Sequence, residues 1–133
     1  MDIDEISRAA EAWVAAGRDE DVLRYKRCRI VYEAIGDASG EVMVGLATEF
    51  GSRAGISVVS VRQQRDAWLL ALRGSTPTVE TIKAASRLTT QGAKGLAEAR
   101  DRLASVKRSE VDFIAEAERI WAVFEAAKKA RDA

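Results

Sequence analysis

Histidine is absent from this chain and cysteine occurs once, at Cys28. The first absence removes Ser-His and Cys-His nucleophile pairs and the commonest metal ligand. The second leaves no partner for an internal disulfide and no cysteine-rich zinc site. Cys28 shares a predicted helical face with Val31 and Ile35, which reads as core packing rather than a reactive thiol. There is no GxxxxGK(S/T) phosphate loop; Gly92-Ala93-Lys94-Gly95 is too short and follows no strand. Carboxylates are plentiful, but pairs such as Asp2 and Asp4 or Glu116 and Glu118 read as solvated faces. Proline occurs once, at Pro77. No apolar window reaches transmembrane length, and the acidic N-terminus is the reverse of a secretory leader. These absences predict a cytoplasmic protein that is not an enzyme and uses no metal, cofactor or membrane, with no small-molecule site legible.

What remains suits a helical domain. Hydrophobic residues make up 47% and charged residues 32% of 133 positions, enough apolar material for one real core rather than a disordered chain. The spacing predicts an all-α fold of seven helices around a central three-helix unit, with a long amphipathic C-terminal helix. The first helix spans 4–16, with Ile3, Ile6, Ala10 and Trp13 on one stripe and Gly17 as its stop. The second spans 19–35, its acidic start at the positive end of the dipole. It buries Leu23, Ile30, Val31, Ala34 and Ile35, exposes Arg24, Lys26, Arg27 and Arg29, and ends at Gly36. The third spans 41–53 and buries Val42, Val44, Leu46, Ala47 and Phe50. The fourth spans 57–72 and buries Val61, Trp68, Leu69 and Leu72. Residues 74–78, around Pro77, are the one candidate linker between a unit at 19–73 and a C-terminal part at 78–133 of a single domain. Thr78 caps a fifth helix, Leu96, Ala99, Leu103 and Val106 mark a sixth, and Ser109 opens the seventh. Val111, Ile114, Ala117, Trp121 and Phe124 form its seam, while all three tryptophans pack and Tyr25 and Tyr32 cover the core edge.

The most informative stretch is Gly51-Ser52-Arg53-Ala54-Gly55-Ile56-Ser57-Val58-Val59-Ser60-Val61-Arg62. An apolar helix runs into Gly55, which takes the left-handed backbone that ends a helix without a Cβ penalty. Ile56 plugs the angle, and Ser57 is a good N-cap for the next helix. From Phe50 to Val61 this resembles the helix-turn-helix of bacterial repressors of the tetracycline- and lactose-repressor types. The resemblance covers residues 46–65, with Gly51 where alanine is usual and Gln64 where an apolar residue is usual. An ordinary αα-corner capped by Gly55-Ile56-Ser57 is the alternative reading.

The resemblance implies sequence-specific binding of duplex DNA by a small transcriptional repressor or a plasmid or phage DNA-binding factor. Ser57, Val58, Ser60, Arg62, Gln63 and Arg65 would read bases from the fourth helix. Arg53, Arg24, Lys26 and Arg27 would hold phosphates. Zero net charge suits this poorly, but its distribution helps. Residues 24–109 hold fifteen bases against eight acids, whereas residues 1–23 hold two against seven. The main rival is a helical interaction module without DNA or catalytic activity, such as a phage or plasmid adaptor, an inhibitor or an assembly subunit. A phage packaging subunit would combine both roles. The apolar seams of the first and last helices are expected either to pack on each other or to build a homodimer able to span two half-sites.

Overall fold

The computed structural model describes residues 2–14, 19–105 and 109–132. Among these residues it is all-α, with seven helices and no strand. They are α1 (Ile3–Val14), α2 (Glu20–Ile35), α3 (Gly40–Ala54), α4 (Val58–Gly74), α5 (Val79–Leu88), α6 (Ala93–Ala104) and α7 (Glu110–Asp132). The expected stop at Gly17 and the seam position Val106 lie outside the described residues. No single helix among them is long and apolar enough to cross a membrane.

Local chemistry sets the boundaries. Asp19 accepts the Val22 N–H at 3.0 Å and opens α2. Gly36, at φ 61°, closes it. Thr78 and Thr81 cap α5 reciprocally, and the Thr81 hydroxyl also donates to the Thr76 carbonyl at 3.0 Å. The segment around Pro77 is therefore tied to the helix it precedes rather than a loose tether.

Two core clusters meet across α2 and α4. One gathers Ile6 and Trp13 of α1, Val31, Ala34 and Ile35 of α2, Met43, Ala47 and Phe50 of α3, and Val61 of α4. The other joins Cys28 and the Ala67–Ala71 turn of α4 to Ile82, Leu88, Leu103, Phe113 and Ile120 of the last three helices. Tyr25 and Tyr32 lie against Trp68 with ring centroids 5.3 and 6.3 Å away. Burial pushes the Cys28 thiol up to about 12, so it stays protonated and packs as a small apolar group.

Several expected faces are corrected. In α3, Met43 is buried along with the expected Ala47 and Phe50, while Val42 and Val44 are exposed and Leu46 is half-buried. A helix apolar on several sides offers no unique stripe, and α1 and α4 chose the one between them. In α4, Ala67, Leu70, Ala71 and Gly74 are buried, Leu69 is half-buried and Leu72 exposed. Ile3 is exposed at the start of α1, and Leu23 and Ile30 are only half-buried. In α7, Val111 is 75% exposed, and Phe113, Ala117 and Ile120 face inward, with Ile114, Trp121 and Phe124 half-buried. The two terminal seams do not pack on each other. That of α1 lies on α2 and α3, that of α7 on α5 and α6.

Glu116 is buried, not solvated. Its carboxylate takes Arg119 at 2.7 Å and Arg102 at 2.6 Å, joining α6 to α7. The Arg119 hydrogen bond, helped by Arg102 and opposed by burial, holds its carboxyl below the ordinary value of 4.5. A carboxyl depressed in the folded state stabilises fully above 4.5, and that contribution disappears as pH falls through the lower folded value. Glu116→Gln should therefore be less stable than the parent at neutral pH and lose less on acidification. Urea midpoints across this range test it, and parallel pH profiles would refute it.

Candidate nucleic-acid interface

The corner between α3 and α4 is built by backbone geometry. Gly55 adopts φ 76°, ψ 31°, and its N–H and that of Ile56 both donate to the Gly51 carbonyl, at 2.9 and 3.0 Å. This closes α3 in a left-handed cap. Ser57 then accepts the Ser60 N–H at 3.1 Å and opens α4. The two helix axes bend by 111° across this break. Ile56 is half-buried and packs with Val58 against the cluster of Phe50 and Val61. Gly51, the departure from the usual alanine, has a steric reason: a Cβ there would lie 2.6 Å from the Ile56 carbonyl oxygen.

The ten candidate side chains are not brought onto one surface. Ser57 and Arg62 are exposed at the start of α4. Val58, expected to meet a base, is half-buried and packs inward, whereas its neighbour Val59 is 60% exposed on the same outward side as Arg62. Helical spacing does not separate the two valines, since Val58 and Val59 lie four and three residues before Arg62 and both spacings share a face. Ser60 and Gln63 turn about a quarter-turn away and line a cleft against α2. Arg65 points inward with a side chain only 12% exposed. Its guanidinium donates to the Ala38 carbonyl at 2.9 Å and to Asp66 at 2.9 Å, and reaches the Gly36 carbonyl at 3.4 Å. Arg65 thus fastens α4 to the turn between α2 and α3 and is not placed to touch DNA. Gln64 accepts the Trp13 indole N–H at 2.8 Å, which accounts for a polar residue where an apolar one was expected.

The basic face of α2 is largely spent inside the protein. Arg24 pairs with Asp21 at 3.0 Å and Glu20 at 3.5 Å. Asp21 also takes Lys83 at 3.2 Å, and these two cations lower its pKa, Lys83 more than Arg24. Arg29 pairs with Glu33. Arg27 lies over the Trp13 ring, and Lys26 is exposed. On α3, Arg53 pairs with Glu49 at 2.9 Å and reaches the Ser7 hydroxyl at 3.4 Å. Arg62 is the exposed cation of α4's first turns, with no ion-pair partner among the described residues.

Comparison with protein-family models, curated proteins and solved structures finds no match. Among the described residues no group of three acidic, histidine or cysteine side chains is placed to hold a metal ion.

Proposed function

We propose that α3 and α4 form a helix-turn-helix that binds duplex DNA, with the first turns of α4 in the major groove. The observation that carries this reading is the 111° corner at Gly55, which leaves Ser57, Val59 and Arg62 outward at the leading end of α4. Helices of helix-turn-helix units meet at about 90–120° across a short turn, and the second helix reads bases with its N-terminal residues. Arg62 has the length and the donor fork to read guanine, and Val59 offers methyls to thymine. Because Arg24, Arg29 and Arg53 already hold carboxylates, few cations remain for phosphates, so binding should depend weakly on salt.

A second reading has its own support. The paired basic side chains and the exposed Val59 also suit a helical module that docks on another protein.

The test is a titration of a labelled DNA library against the parent, Arg62→Ala and Arg65→Ala. Arg62→Ala should fold normally and lose about 1–3 kcal/mol of specific binding, roughly five- to 150-fold. Arg65→Ala should lower thermal stability by about 1–3 kcal/mol because it orphans carbonyls of the turn and Asp66. Full specific affinity in a folded Arg62→Ala variant, or no affinity in the parent at low salt, would remove the DNA reading in favour of the docking module.

A further inference from the structure

A cleft of about 310 Å³ lies between the end of α1, the start of α2, and the facing sides of α4 and α5. That volume is at the low end of small-ligand sites. Its walls divide by chemistry. Leu23 and Cys28 give an apolar side, and Ser60, Gln63, Ser86 and Thr89 give hydroxyls and an amide. Arg27 stands in it as an oriented cation. Its Nε donates to the Trp13 carbonyl at 3.1 Å, and its guanidinium carbon sits 3.6 Å from the Trp13 ring centroid. The Trp13 ring is itself held, since its indole N–H is donated to Gln64.

Two contacts thus fix the plane of the Arg27 guanidinium while using one of its five N–H donors. No carboxylate lies within ion-pair distance of it among the described residues, in contrast to Arg24, one turn earlier, which has two. A half-buried guanidinium normally finds an anion, because its remaining donors lose water without replacement. Glu20, the acid that also borders the cleft, is 88% exposed and paired with Arg24.

We infer that this cleft binds a small organic anion, its carboxylate or phosphate group on the free edge of Arg27 and its apolar body against Leu23 and Cys28. The planar fork of arginine matches either oxyanion in a two-bond geometry. The body must be compact, of about ten heavy atoms, given the volume. The inference is independent of DNA binding, and its test contains no DNA. Because α4 supplies Ser60 and Gln63 to the wall, an occupant would also touch the helix that carries Arg62.

The test uses the full chain and nitrogen-15 NMR, titrating benzoate, phenyl phosphate and inorganic phosphate separately. The Trp13 indole N–H signal reports the cleft wall, while those of Trp68 and Trp121 report elsewhere. Benzoate or phenyl phosphate should shift the Trp13 signal with an affinity of about a millimolar or better, ordinary for ligands of this size. Arg27→Gln should weaken that binding about ten-fold or more. Ser86→Leu, which fills the cleft from α5 and leaves Arg27 in place, should abolish it while the other indole signals keep their positions. The relative response to benzoate and phenyl phosphate identifies which oxyanion is preferred. Silence of the Trp13 signal towards both organic probes overturns the assignment. So do shifts that survive both substitutions in folded variants, and so does inorganic phosphate binding as tightly as the organic anions, which would reduce the site to a bare ionic contact.

Discussion

Gly51→Ala is expected to lower the unfolding free energy by about 2 kcal/mol, the net of about 3 lost to overpacking and about 1 gained in helix propensity. The new Cβ would stand 2.6 Å from the Ile56 carbonyl oxygen and 3.5 Å from Val61 Cγ2. That oxygen cannot swing aside as a flexible side chain does. It belongs to the turn whose N–H groups at Gly55 and Ile56 fold back onto the Gly51 carbonyl. Relief requires opening the corner, so the proposed DNA binding through α4 should fall with stability. Gly45, in the same helix, is the control: nothing lies within 4 Å of its added Cβ. Gly45→Ala should raise stability by about 0.5–1 kcal/mol through helix propensity alone. Urea denaturation at constant slope measures both. Opposite signs for one substitution at two places in one helix are the expected result, and a gain at both would show that the corner does not press on Gly51.

What was legible in the sequence was local. Gly55, Ser57, Gly36 and Thr78 act on backbone groups within four residues, and each marks the helix end it was expected to mark. What was not legible depends on partners far along the chain. Gln64 meets Trp13 across 51 positions, and Arg65 meets Ala38 across 27. Gln64 reads from sequence only as a polar residue at an apolar position, and Arg65 as one on an outer face, because nothing in a helical wheel tells a surface arginine from one whose donors complete a distant turn. The same holds for Arg27, whose stacking on Trp13 removes it from the basic face of α2. Choosing among adjacent apolar residues fails for a related reason. Val42, Met43 and Val44 are all hydrophobic, and only the angle at which α3 meets α1 and α4 selects Met43 for the interior. The turn was thus readable in the sequence, while the choice of side chains that face outward beside it was not.

The register of α7 gives the second large expected effect. Phe113 is fully buried, and its ring touches the backbone of Gly74 at the end of α4, so closely that a Cβ on Gly74 would lie 2.7 Å from Phe113 Cε2 and 2.8 Å from Cδ2. Glycine ends α4 there because an aromatic ring occupies the place of its side chain. Two series in α7 have helical spacing, one through Val111 and Ile114 and one through Phe113, Ala117 and Ile120, and the hole at Gly74 chooses the second. Phe113→Ala should cost about 3–5 kcal/mol, whereas Val111→Ala, at a 75% exposed position, should stay within about 0.5. Gly74→Ala alone should cost about 2 kcal/mol by overpacking. In the Phe113→Ala background the ring is gone, while the Leu103 carbonyl, 3.0 Å from the new Cβ, still crowds it. The added methyl then partly fills the cavity, and the two losses should fall short of their sum by about 1 kcal/mol or more. Calorimetric melting of the two single variants and the double variant measures this coupling. Strict additivity would mean that Phe113 and Gly74 are not in contact and that α7 lies in the other register.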